Sequence, residues 1–300
     1  MNRQYILGVI VMLMLSVVAC TERIELNLNA GDPVLVVYGC VTDTLAYQKV
    51  TLSSSVPYFD EQHNPAISGA VVSITSDSEV WILIENPIEK GVYETTGLKA
   101  GKIGETYHLK VEYDFDEDGV MELYEASTEM LPAFKIDSVQ VKPFRAMGYY
   151  MYSVNLYADE PAGEDYYLHK FFVNDSLVTP LSRYSLMGDN ELIDGQYING
   201  MPIYFMGDIL YWDDFTKNEQ EEEAFVGEGD EVLIEVNRVD KKYFNFVRQC
   251  QNEKYGSNPL FGGPPSNIQG NISNGAVGFF AAFTTSRYLA ITPGSEDYIP

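Results

Sequence analysis

Between Tyr113 and Glu125 the chain reads YDFDEDGVMELYE. Asp114, Asp116 and Asp118 alternate, Gly119 follows, and Glu122 and Glu125 lie further along. Counted from Asp114, this is D-x-D-x-D-G-x5-E, the spacing with which an acidic loop holds Ca²⁺. The reason is geometric. Alternate carboxylates project toward one point, a glycine with positive φ reverses the chain, and the residue after it offers a carbonyl oxygen. The candidate metal ligands are therefore Asp114, Asp116, Asp118, Val120, Glu122 and Glu125, around a structural Ca²⁺. The competing reading is an Asp-Gly turn with solvated acids.

The flanking segments set the geometry. TYHLKVEYD alternates before the loop, and MELYEAST does not read as a capped helix after it. The element is a hairpin, not a helix–loop–helix. In a strand, Glu122 and Glu125 point to opposite faces, so only one of them reaches an ion at the tip. A shorter pattern, D-x-D-x-D-G-x-x-D/E, resembles the hairpin calcium loops of some extracellular β-proteins and selects Glu122.

Other reactive residue types do not assemble into a catalytic pattern. His63, His108 and His169 are scattered, with no HxH or HExxH spacing, and the chain has no GxSxG and no P-loop. GGPPSNIQGNISNG is glycine-rich but follows a helical segment and holds two prolines, so it shapes backbone. The three cysteines are Cys20, Cys40 and Cys250, without CxxC spacing. Cys40 and Cys250 are either a disulfide of an oxidising compartment or two buried thiols, and the second suits apolar cores. A non-catalytic protein is the expectation, with an unrecognised hydrolase as the enzyme alternative. The formal net charge of −25 argues against nucleic acid or an anionic lipid surface as the main partner.

The N-terminus carries a separate signal. A short polar start (Asn2, Arg3, Gln4) precedes an apolar run from Tyr5 to Ala19, which is the layout of a secretory signal and short for a membrane span. It ends in VVAC, which resembles the lipobox of bacterial lipoproteins. By that resemblance residues 1–19 are removed and Cys20 is acylated, giving an N-terminal lipid anchor. The alternative is an ordinary signal with a chance cysteine.

The organisation is strand-rich throughout. VLVVYGCVT, VTLSSSVPYF, AVVSITS, VWILIEN, GVYETTG and TYHLKVEYD are short β-branched or alternating runs separated by turn residues. They predict a mainly β fold, with a tether over 20–33 and an immunoglobulin-like β-sandwich over 34–133. LPAFKIDSV marks a boundary. A second β-sandwich, rich in tyrosine, is expected over 134–292, with a short tail over 293–300. NEQEEEAF reads as a solvated loop. One helix is expected at 240–254, capped by Asp240, with Tyr243, Phe246, Val247 and Cys250 on its packed face.

After that helix, NPLFGGPPSNIQGNISNGAVGFFAAF resembles a family of Bacteroidota lipoproteins grouped as domain of unknown function 4249. Asn258, Pro259, Phe261, Pro265, Asn267, Asn271, Ile272, Gly275, Gly278 and Phe280 fill places comparable to its NPF…P…N…NI.GG.G.F segment. VLVVYGCVTD, VTLSSSVPYFDE and PAISGAVVSIT follow the family's order at the front. Cys40 departs from a usual aromatic, and Ser273 and Asn274 stand where glycine is frequent. The resemblance implies an outer-membrane lipoprotein, on either face of that membrane, acting as a binding or accessory protein for a TonB-dependent transporter or its ligand. It implies a transthyretin-like front sandwich and carries over no catalytic set. The alternative is a surface glycan- or peptide-binding module without a transporter partner.

Overall fold

The computed structural model describes residues 32–56, 64–146, 149–179, 186–208, 225–256 and 268–294. The signal segment, Cys20, nearly all of the tether, His63, most of the 218–225 acidic run, the GGPP turn and most of the tail lie outside them.

The described chain is mainly β. The first half holds β1 (Leu35–Thr42), β2 (Lys49–Ser54), β3 (Val71–Thr75), β4 (Val80–Glu85), β5 (Val92–Thr95), β6 (Thr106–Tyr113) and β7 (Glu122–Glu129). The second half holds β8 (Ile136–Ala146), β9 (Tyr149–Asp159), β10 (Tyr166–Val173), β11 (Ser176–Leu177), β12 (Leu186–Asp189), β13 (Tyr197–Asp208), β14 (Phe225–Val226), β15 (Glu231–Val239), a helix α1 (Lys241–Gly256) and β16 (Val277–Ile291). The alternation of the sequence becomes alternation of burial. In β6, Tyr107, Leu109 and Val111 are buried while His108 and Lys110 face solvent.

Two sheets form. The larger runs β11-β10-β15-β16-β1-β2-β5-β4-β3-β6-β7, with β12 also paired to β10; the smaller runs β14-β13-β9-β8. One core fills the first half, around Val37, Leu52, Ile74 and Leu109. A second lies between the smaller sheet and β10 and β15, where Leu156 and Tyr152 meet Phe171 and Ile234. A third lies under α1, where Tyr243 and Phe244 cover Phe279, Ala281 and Phe283.

The cores change over between Met130 and Phe134. The hydrogen bonding does not stop there, because β16 carries the larger sheet from one half into the other. β16 pairs in parallel with β1, from Val36↔Val277 to Thr42↔Phe283, and antiparallel with β15. Phe280 and Ala282 of this last strand complete the first core, and Ala290 joins the second. Without β16, β1 would present an unpaired edge. A parallel partner needs a long connection, and here most of the chain serves as one.

α1 starts as expected. The Tyr243 N–H donates to Asp240 Oδ1 at 2.8 Å, which caps the first turn. Cys40 on β1 and Cys250 on α1 are free thiols, each half-buried, and burial pushes both above the ordinary thiol range. Among the described residues, no helix is long and apolar enough to cross a membrane.

The glycine-rich segment before β16 has a steric explanation. Gly278 has φ 109°, and a Cβ there would sit 1.9 Å from the Val37 carbonyl oxygen. Asn271 takes the place of a strand neighbour: its Nδ2 donates to Phe280 O (2.8 Å) and its Oδ1 accepts from Phe280 N (2.9 Å). Gly275 also has positive φ, 74°, but meets nothing within 4 Å. Gly275→Ala should therefore cost about 1–2 kcal/mol, the left-handed penalty alone. Gly278→Ala should cost more than about 3 kcal/mol, because a backbone clash adds to the strain. Urea unfolding of the two variants checks the order; equal losses would contradict this account of the β1–β16 junction.

Candidate metal centre

The acidic hairpin tip joins β6 to β7, whose last cross-strand pair is Tyr113↔Glu122. The loop is built by its own acids. Gly119 N donates to Asp114 Oδ2 (2.9 Å), Asp118 N to Asp116 Oδ1 (3.2 Å), and Val120 N to Asp118 Oδ1 (2.8 Å). Phe115 N donates to Glu122 Oε2 at 2.6 Å, which closes the base. Gly119 has φ 89°, as a sharp reversal at that position requires, and Glu117 also adopts a positive φ of 59°. Phe115 turns back against the first core and meets Tyr113 edge-on at 6.4 Å, which fastens the loop to the fold.

Asp114, Asp116, Asp118 and Glu122 converge. Each offers one carboxylate oxygen, and the four lie within 4.8 Å of one another. In bulk water each such pair repels by roughly 1 kcal/mol, and more where the surroundings are drier. Asp114 Oδ1 is buried and accepts no hydrogen bond among the described residues. The loop thus holds some carboxylate oxygens on its own N–H groups, while one oxygen of each of the four acids lies within 4.8 Å of the others. An oxygen-only set of this kind suits a hard divalent cation.

Of the six ligands expected from spacing, the structure gathers these four side chains. Glu125 stands apart from them. It lies on the opposite face of β7 from Glu122, exposed, next to buried Tyr124 and Ala126. Its backbone is engaged elsewhere, because its N–H donates to Ser273 Oγ (2.7 Å) and its carbonyl accepts from Ser273 N (2.8 Å). Strand parity, which sequence already exposed, accounts for this. Val120 sits in the loop with its side chain exposed and its N–H held by Asp118.

His108 and His169 fall on different strands, β6 and β10, and join no three-residue ligand cluster among the described residues. Sequence reasoning missed one polar group, Glu160, which is buried just beyond β9 and accepts a hydrogen bond from Tyr167 Oη at 2.8 Å. Its position, directly before Pro161, reads in sequence as an ordinary turn acid. Nearby, Arg238 grips buried Asp165 through Nε at 2.8 Å.

No curated protein matches this sequence. A family model described as Domain of unknown function (DUF4249) matches residues 21–288, which take in the hairpin, α1 and nearly all of β16, and the chain belongs to that family.

Proposed function

We propose that this is a non-catalytic, lipid-anchored binding or accessory protein of the outer membrane, serving a TonB-dependent transporter or its ligand, with a structural Ca²⁺ in the β6–β7 hairpin. The observation that carries the partner-binding role is on β4. Val80, Ile82 and Ile84 form one solvent-facing row, 65%, 53% and 58% exposed. Single exposed apolar residues are ordinary, but a contiguous β-branched row on a strand is the surface a partner covers. Family membership and the VVAC sequence support the anchor, and the family match begins directly after Cys20.

For the hairpin, Ca²⁺ fits better than Mg²⁺. Ca²⁺ accepts six to eight oxygens in irregular geometry, whereas Mg²⁺ demands an octahedron and gives up water reluctantly. A cation held only by the folded loop stabilises the protein by RT ln(1 + [L]/Kd).

Three outcomes are expected. Cys20→Ser should yield protein that is not acylated and is released from the membrane fraction; a processed Cys20→Ser protein that stays in the outer membrane would defeat the anchor. Photo-crosslinkers at Ile82 or Ile84 in intact cells should capture a TonB-dependent transporter, and Ile82→Asp should abolish capture. Products containing only glycan or peptide would favour the surface-binding alternative. Ca²⁺ at a hundredfold excess over Kd should add about 2.7 kcal/mol, read as a rise in Tm that EDTA reverses. Asp116→Ala combined with Asp118→Ala, or Glu122→Gln alone, should remove or weaken that rise, and Glu125→Gln should not. Calorimetry showing no Ca²⁺ binding up to millimolar concentration would leave the loop a solvated acidic turn.

A further inference from the structure

Strand register fixes which turns share an end of the first-half sheet. Leu35 at the start of β1 pairs with Ser54, and Thr51 pairs with Val92 at the start of β5. Glu85 at the end of β4 pairs with Tyr93. Val71 opens β3 opposite Glu112, and Tyr113 meets Glu122 at the hairpin. The entry of the chain into β1, the 86–91 turn and the 114–121 hairpin tip therefore lie at one end. The end of β1 and the 96–105 connection lie at the other, where Gly101 N donates to Thr42 O and Gly104 N to Met130 O.

The first of these ends carries apolar side chains on its turns. Ile88 is 88% exposed, Val120 63% and Met121 51%. Both turns are fixed by side-chain hydrogen bonds. Asn86 Oδ1 accepts from Ile88 N at 2.8 Å and from Glu89 N at 3.0 Å, and Asp118 Oδ1 accepts from Val120 N at 2.8 Å. Apolar groups exposed in this way gain nothing from the protein's own core, and several together mark a surface that something else covers.

The place where the chain enters bears on what covers it. Residues 20–34 lead into β1 at this end and span at most about 50 Å when fully extended. The opposite end is further from Cys20 by the length of β1, eight residues or about 26 Å. The hairpin acids, and the net charge of −25, disfavour an anionic surface. They do not oppose headgroups that carry an ammonium beside each phosphate.

We propose that this end of the first-half sheet rests on the bilayer, with Ile88, Val120 and Met121 in the headgroup layer of phospholipids without net charge. The acyl anchor holds the chain at one point. These turns add a second contact, which fixes the orientation of the protein on the membrane. The inference rests on the lipid anchor proposed above, and not on the transporter or the hairpin Ca²⁺.

The test uses the full chain purified from membranes and placed, in EDTA, in nanodiscs of phosphatidylethanolamine and phosphatidylcholine with a trace of nitroxide-headgroup lipid. Mass spectrometry first reports whether Cys20 is acylated. Methyl NMR then compares Ile88 and Met121 with Ile103, which is 54% exposed at the opposite end. Relaxation enhancement at Ile88 and Met121 should exceed that at Ile103 at least fivefold. Ile88→Asp with Val120→Asp should lower the enhancement at Met121 at least threefold, and Leu98→Asp, at the opposite end, should leave it unchanged. Should the double variant fail to fold, the ratio of Ile88 to Ile103 in the unmodified protein decides. Acylated protein with equal enhancement at Ile88 and Ile103, or with Met121 insensitive to the double substitution, keeps the anchor and overturns the contact. An unmodified Cys20 overturns both, and the mass spectrum alone tells that outcome apart.

Discussion

The fold depends on the parallel pairing of β1 with β16. That contact joins residues near opposite ends of the described chain, and β16 contributes to all three cores, the one under the helix included. From Phe279 to Thr284, β16 is buried on both faces. Phe280 and Ala282 point into the first core, while Phe279, Ala281 and Phe283 point to α1. Burying one such phenylalanine contributes about 1.5–3 kcal/mol, and residues of this one strand enter all three cores. The approach is close enough to constrain the residues before it. A Cβ at Gly270 would lie 2.0 Å from the Gly278 carbonyl, and one at Gly278 would strike Val37. Glycine there is a condition of the pairing. Asn271 then supplies the hydrogen bonds that Phe280 would otherwise lack.

The same strand supports the acidic hairpin from behind. Thr128 Oγ1 on β7 accepts from Ala282 N at 3.1 Å, and Ser273, in the turn before β16, bonds both backbone groups of Glu125. Phe115 adds an apolar anchor on the loop side. The hairpin therefore projects from a fixed base that holds four of its carboxylates together. Such preorganisation would lower the ordering cost of the Ca²⁺ binding proposed for it. It also explains the division of labour in β7: one face carries Glu122 to the tip, and the other leaves Glu125 beside the turn that binds the strand down.

Local patterns were legible in the sequence and long-range ones were not. Period-two alternation marks β1 to β7, and Asp240 with the Tyr243–Cys250 stripe marks α1, because both signals lie within a few residues of each other. The convergence of Asp114, Asp116, Asp118 and Glu122 was legible to the same depth, since strand parity alone separates Glu122 from Glu125. The β1–β16 pairing was hidden because nothing in VLVVYGCVT names a partner some 240 residues away. GFFAAF does carry a trace of it: a run without alternation is what a strand buried on both faces requires. Glu160 was hidden for a related reason. Its burial comes from strands that meet it in space.

The two acidic places differ in what their surroundings can offer a positive charge. At the hairpin, several oxygens converge near solvent, so an ion can shed part of its water and regain oxygens one for one. A multidentate hard cation is matched to that exchange. Beside Glu160 the surroundings are dry: its Oε1 accepts from Tyr167 and its Oε2 is closed off from solvent. An ion that needs six or more oxygens would lose most of its hydration there without replacement. Ligand number and local dryness, more than charge itself, would therefore separate the two places, and the surplus of negative charge on this chain would not make them interchangeable.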